Sequence, residues 1–295
     1  MRKTFSEITD QIIREDEKTV LLLGDIGIFA FRKTIEDFPL RAMNFGIMEQ
    51  TMISFASGLA KEKFIPIVHT IAPFLVERAY EQLKVDFGYQ QLGGNFISVG
   101  ASNDYSSLGC THHCPGDVAA LLNIPGFEVI VPGSQMEFKE AFYKKYANNN
   151  PTYFRLTEFP NRENLPFNNG QGLKLKNGNA ATIIAIGPVL DLVLPAINNL
   201  DVELLYINQI MPFNRELISS NCKSNKILIV EPFYSGTILP YIMESLRGRT
   251  LLIEQAGISR DFMTDYVTIS KQQDMKFYQE YNILEKISRL IGSNS

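Results

Sequence analysis

Short apolar runs recur along this chain with helical patterns between them, and that alternation constrains the fold more than any other feature. The first run, Thr19-Val20-Leu21-Leu22-Leu23-Gly24, closes on Asp25. Others fall at 64–68, 96–99 and 128–131. A run of this length without polar alternation reads as a strand buried on both faces. Helical patterns at 74–87 and 116–122 separate the runs. Strands alternating with helices predict parallel α/β architecture. Pro66 has no amide proton, so its run fits a sheet only if Pro66 lies at an edge or at the start of the strand.

Residues 159–179 are rich in Asn, Gly, Lys and Pro, with Asn168-Asn169-Gly170 and Asn177-Gly178, and read as an inter-domain linker. A second α/β unit follows. Its strands are expected at 181–186, 202–207, 226–230 and 250–253, its helices at 188–199 and 235–247. Residues 275–291 read as a terminal amphipathic helix. The expectation is therefore two open, mostly parallel-sheet α/β domains, residues 1–165 and 166–295. A chain of 295 residues is long enough to bury substantial cores.

Several function classes are disfavoured by charge and patterning. The formal net charge is -4 and no basic block stands out, which argues against a nucleic-acid partner. No apolar run approaches the ~18 residues of a membrane span. The N-terminal Met1-Arg2-Lys3-Thr4-Phe5-Ser6-Glu7 lacks the apolar segment of a secretory signal. Three cysteines, an odd number in a long chain, fit a reducing compartment and a cytoplasmic location.

Chemistry concentrates in the first unit. In Asn44-Phe45-Gly46-Ile47-Met48-Glu49-Gln50, Glu49 precedes an apolar, small-residue helix, Thr51 to Ala60. A carboxylate there is favoured by the helix dipole and by free N–H groups. A first-turn capping Glu is the ordinary alternative. Asp25 follows a strand, and Phe74 and Arg78 lie four apart on an expected helix. His112 falls in Gly109-Cys110-Thr111-His112-His113. Open α/β sheets bind ligands beyond the carboxyl ends of their strands, so these loops can converge. Singly, each residue has a structural reading: Phe74 as core, Arg78 as the partner of Glu81 at i+3. Cys110 to Cys114 holds two Cys and two His, but structural zinc draws ligands from separate elements and adjacent His side chains diverge, so a metal site is disfavoured. Cys222 reads as core or surface.

Taken together, these stretches resemble the pyrimidine-binding half of transketolase-like, thiamin-diphosphate-dependent enzymes. The matching segments are Asn44 to Gln50 with Phe55 to Ala60, Phe74 to Gln82, Gly109 to His112, and Ile124 to Pro132, in the family's order and at about its spacing. The resemblance covers roughly residues 15 to 240, with weaker motifs in the second unit. It implies that Glu49 hydrogen-bonds the pyrimidine ring and favours the tautomer whose amine takes the thiazolium C2 proton. Phe74 would stack on the pyrimidine, Ile47 would wedge the bent cofactor, and Asp25 and Arg78 would be further cofactor-site residues. His112 would contact the donor and move protons. The implied reaction is transfer of a two-carbon ketol unit from a ketose to an aldehyde. A 2-oxo acid decarboxylating synthase or dehydrogenase β subunit, with pyruvate as donor, is the alternative; a non-catalytic regulatory subunit is another.

Two departures from that family stand out. The Gly-Asp-Gly motif, which with a downstream Asn holds magnesium and the diphosphate, does not occur in this sequence. The chain then resembles the C-terminal subunit of a split enzyme, with Mg2+ held mainly by an N-terminal partner subunit in an α2β2 assembly. Leu108, Glu158 and Phe29 stand where sugar-phosphate enzymes present an acidic residue, an Arg and a Ser. A Glu and a Phe cannot serve as phosphate ligands, which points to a non-standard sugar unless Arg155 or Arg32 compensates.

Overall fold

Every apolar run becomes a strand or part of one. The computed structural model describes residues 1–264, 266 and 282–292. The chain begins α1 (Arg2–Glu15), β1 (Thr19–Leu23), α2 (Arg32–Asp37), β2 (Ala42–Asn44), α3 (Glu49–Lys61) and β3 (Ile65–Ile71). A π-helical turn Pro73–Glu77, α4 (Tyr80–Gln82) and a second π-helical turn Leu83–Tyr89 lead to β4 (Gly94–Val99). After 3₁₀ turns at Ser106–Leu108 and Cys110–His112 come α5 (Asp117–Leu121), β5 (Glu128–Ile130), α6 (Gln135–Lys145) and β6 (Pro151–Arg155). The second half runs β7 (Leu173–Lys176), β8 (Ala181–Ile186), α7 (Leu190–Ile197), β9 (Val202–Ile207), β10 (Gln209–Met211) and α8 (Arg215–Asn221). It ends with β11 (Lys226–Tyr234), α9 (Leu239–Ser245), β12 (Leu252–Ile258) and α10 (Ile283–Gly292). Residues 275–281 of the expected terminal helix lie outside the described residues.

The first sheet has the order β10-β5-β6-β4-β3-β1-β2 and the second β12-β11-β8-β9-β7. Pairing is parallel except for β10 on β5 and β7 on β9. The architecture is the expected α/β one with two mostly parallel sheets. From β1 the chain moves outward to β2, then crosses back to β3 on the other side of β1. That reversal opens a crevice at the carboxyl ends of β1 and β3, the usual ligand position in such sheets.

Packing follows from the patterns. The strand β1 is buried at every residue, as a strand covered on both faces must be. Helix α1 buries Phe5, Ile8, Thr9, Ile12 and Ile13, the stripe of an amphipathic helix, against one face of the first sheet. On the other face, one apolar cluster runs from Val20, Val68, Phe96 and Val129 through Ile210 to Ile184, Leu205 and Ile229 of the second sheet. Pro66 sits second in β3, so its missing donor falls at the start of the strand.

The structure differs from the sequence reading in three places. The expected linker at 159–179 contains β7, whose Leu-Lys alternation suits a half-exposed edge strand. The expected helix at 74–87 is broken into two π-helical turns around a short α-helical one, with the Arg78 N–H donating to the Pro73 carbonyl at 3.0 Å. Strand β10 leaves the second unit and pairs with β5, Gln209 opposite Ile130 and Met211 opposite Val129. Among the described residues, no helix is long and apolar enough to cross a membrane.

Candidate active site

Four loops meet beyond the carboxyl ends of the first sheet, one each after β1, β2, β3 and β4. The β1 loop opens with Asp25 in the left-handed region (φ 55), which Asp tolerates better than most residues. Its N–H donates to Asn44 Oδ1 at 3.0 Å, and Asn44 Nδ2 donates back to Asp25 Oδ1 at 3.2 Å. Asn44 Oδ1 also accepts the Gly46 N–H at 3.1 Å. The last residue of β2 thus ties the Asp25 loop to the loop that leads into Glu49.

Glu49 is the first residue of α3 and only 1% exposed. Burying a carboxylate costs several kcal/mol unless it is paired. Arg78 supplies the partner, its Nη1 lying 2.8 Å from Glu49 Oε2. The local pairing of Arg78 with Glu81 is not the one adopted. Among the described residues, Glu49 Oε1 has no hydrogen-bond partner.

The π-helical turn places Arg78 over the ring of Phe74, 4.1 Å from its centroid. His112 meets the same ring edge-on, at 5.2 Å and 71°. Glu49, Arg78, Phe74 and His112 therefore form one continuous row. Ile47 stands away from it, 71% exposed, and Asp25 bonds to Asn44 instead. Burial, and then the positive charge of Arg78, hold the His112 pKa below the ordinary histidine value. Its imidazole is therefore neutral at neutral pH, with Nδ1 2.9 Å from Thr111 Oγ1.

The neighbouring His113 is buried and meets the Ser106 backbone, so the two rings part company. Cys110 is exposed while Cys114 is buried. No group of three or more His, Cys, Asp or Glu side chains converges among the described residues. Gly109 (φ +81) carries the chain into the His112 turn; a Cβ there would meet the Tyr266 ring at 2.6 Å.

The three departures lie along the same rim. Phe29 is 93% exposed and Leu108 52%. Glu158 accepts from the Tyr105 hydroxyl at 3.2 Å and lies 3.8 Å from Arg2. Of the two candidate arginines, Arg155 is locked away from a phosphate, whereas Arg32 is held only by an exposed surface pair. Arg155 is buried against Asp117, Nε to Oδ2 2.7 Å, and Arg32 pairs with Glu36 at 2.9 Å on α2.

Sequence reasoning missed His69, Arg2 and Tyr105. His69 sits in β3 beneath the Asp25 loop, its Nδ1 2.9 Å from the Ile97 carbonyl, and burial lowers its pKa to about 4. A Cβ on Gly27 (φ +80) would approach the His69 ring at 3.2 Å. The one available signal was a polar ring inside the otherwise apolar Ile-Pro-Ile-Val-His-Thr-Ile.

Comparison with known proteins bears on the family and the fold. Residues 1–162 match the family model described as transketolase, pyrimidine binding domain. An uncharacterized 33.6 kDa protein of the fasciation locus of Rhodococcoides fascians is 32% identical over 264 residues, covering 88% of this chain and 85% of the relative. A 6-deoxy-6-sulfo-D-fructose transketolase subunit of Clostridium sp. (strain MSTE9) is 27% identical over 242 residues, covering 78% and 75%. A split-gene transketolase, solved as an inactive β4 tetramer, superposes with a TM-score of 0.83 over 99% of this chain and 97% of that one, at 21% identity, which speaks for the fold. Since the pyrimidine-binding match spans more than half of its 295 residues, the chain belongs to the transketolase family.

Proposed function

We propose that this chain is the C-terminal, pyrimidine-side subunit of a two-subunit transketolase that moves a two-carbon ketol unit from a ketose donor to an aldehyde acceptor, with a non-standard sugar among its substrates. The row Glu49–Arg78–Phe74–His112 at the sheet's carboxyl edge carries this reading. The residues fit an aminopyrimidine ring. A buried carboxylate has one oxygen unpaired among the described residues, an aromatic ring lies beside it, and Ile47 offers apolar surface.

Thiamin diphosphate, when bound, supplies the nucleophilic carbon that opens a ketose beside its carbonyl. Glu49 would hold a pyrimidine nitrogen and Phe74 would stack on the ring. Ile47 would press on the cofactor, and Asp25 and Arg78 would line its edge. His112, kept neutral by burial and by Arg78, is in the form that can take a proton from a substrate hydroxyl.

The diphosphate and Mg2+ would be held by an N-terminal partner subunit, in an α2β2 assembly. This chain has no Gly-Asp-Gly, and the Clostridium relative, three-quarters covered, is itself named as a subunit. Exposed Phe29, Ile47, Met48 and Phe55 give apolar surface for that contact. Division into domains at 165/166 and a cytoplasmic location belong to the same proposal; all three cysteines are free, which suits a reducing compartment. Phe29, Leu108 and Glu158, with Arg155 buried, support an acceptor other than a simple sugar phosphate. The Clostridium relative is likewise named for an unusual ketose.

The test is ketol transfer by this chain reconstituted with its partner. Glu49→Gln should lower turnover by about 100-fold or more, since it removes the charge that holds the ring nitrogen. Undiminished turnover would sink the assignment. Release of CO₂ from a 2-oxo acid would move it to the decarboxylating alternative.

A further inference from the structure

The loop that carries His112 spans residues 102–117, from just beyond β4 to the first residue of α5. Both of its ends close on one buried cation. Arg155 ends β6, and its side chain is 1% exposed. Its Nε donates to Asp117 Oδ2 at 2.7 Å and its Nη2 to Ser102 Oγ at 2.6 Å. Between these anchors the two limbs pair backbone to backbone, the Cys114 N–H donating to the Ser102 carbonyl at 2.8 Å. Tyr153, two residues earlier on β6, donates its hydroxyl to the same Asp117 oxygen at 2.7 Å.

The anchor reaches into the second half of the chain. Ser102 Oγ donates to the Pro232 carbonyl. The Arg155 guanidinium lies 5.7 Å from the Phe233 ring, and the Tyr234 N–H donates to the Pro115 carbonyl at 3.0 Å. Within the loop, the His112 segment is only a 3₁₀ turn, whose hydrogen bonds are poorly aligned. Such a turn keeps a side chain in one place only if its ends are held.

We propose that Arg155 is a positioning residue: by fixing both ends of the 102–117 loop to β6 and to the second sheet, it places His112 against Phe74 and the Arg78–Glu49 pair. The proposal rests on the role given above to His112. Arg155 lies beneath the loop and reaches neither Glu49 nor Phe74. An arginine is required because its fork can serve Asp117 and Ser102 together, whereas a lysine offers a single point charge.

The chain has 3 histidines, so each can be followed by NMR titration in the full chain and in its complex with the partner subunit. In Arg155→Lys and Ser102→Ala, His112 should titrate closer to the ordinary histidine value and lose its close contact with the Phe74 ring. His69, buried elsewhere in the sheet at about 4, should not move, which reports an intact fold. In the complex, kcat should fall roughly tenfold, the scale of a small misplacement of a reacting group, while thiamin diphosphate affinity stays within about threefold. If Arg155→Lys disturbs His69, Ser102→Ala decides, since it removes a single hydroxyl. Unchanged His112 titration and Phe74 contact, with His69 in place, would overturn the proposal. A displaced His112 with unaltered turnover would leave the anchor standing and remove His112 from the reaction instead.

Discussion

Replacing Arg78 by Met removes the cation paired with a carboxylate that is 1% exposed, and the structure fixes both the sign and the scale of the result. Unit charges about 4 Å apart attract by roughly 4 kcal/mol at an effective dielectric of about 20. Deleting one member of a fully buried pair costs about 3–5 kcal/mol, because the other charge is left stranded. The Arg78 side chain is 38% exposed, so water screens part of the attraction, and about 2 kcal/mol is expected. The reverse substitution, Glu49→Gln, leaves a guanidinium that solvent can reach and costs only about 1 kcal/mol. The double variant should cost less than the sum, with a coupling of about 1 kcal/mol. Urea unfolding of the four proteins, followed by circular dichroism, measures all three quantities. If Arg78→Met is no more damaging than Glu49→Gln, or if the coupling lies within about 0.3 kcal/mol of zero, the pair does not hold the carboxylate and the argument fails.

Stability should also respond to pH through two buried groups acting in opposite directions. His69 moves from its ordinary 6.5 to about 4 on folding, so the native state binds fewer protons and stability is lost as pH falls through that window, by about 3 kcal/mol in all. Asp104 moves from 3.8 to about 7, so the native state keeps a proton the unfolded chain releases and stability falls as pH rises from about 4 to about 7. His69→Gln should therefore abolish the first slope and Asp104→Asn the second in unfolding curves between pH 4 and 7.5; slopes that survive refute the assignments. At the rim, Glu158→Arg should raise kcat/KM of the reconstituted pair for a phosphate-ended aldehyde by about 10-fold or more, the worth of one charge-assisted contact. No gain would place the phosphate end of such a substrate elsewhere.

What was legible in the sequence depended on how many faces of an element are buried. Strands β1, β4, β8 and β9 are buried at every residue, so apolar residues predominate in them and they announce themselves as runs. Strands β2 and β10 have three residues each and β7 four, too short to show a period against the background of loops. The π-helical turns were unreadable for another reason: a wider turn changes hydrogen bonding without changing which residue types suit it. In the site, Glu49, Phe74 and His112 could be singled out because the resemblance names the residue types at those places. The pairings of the arginines could not. Arg78 has an acidic residue three positions on, yet its partner lies 29 positions back. Arg155 looked like a spare anion ligand because Asp117, 38 positions away, is invisible to local reasoning.

The excursion of β10 out of the second unit bears on how the chain can be divided. Gln209 to Met211 cover the outer edge of β5, and Ile210 sits in the apolar cluster that joins the two sheets. A fragment ending at 165 would expose that edge as a bare row of amides and carbonyls, a template for pairing with other chains. In the remaining fragment the cluster that holds Ile210 would lose its first-sheet side. The two halves should therefore melt together rather than in sequence. A transketolase whose gene is split is among the solved structures that share this fold. The borrowed strand sets a limit to division: a piece that keeps β5 paired on that side must include Gln209 to Met211.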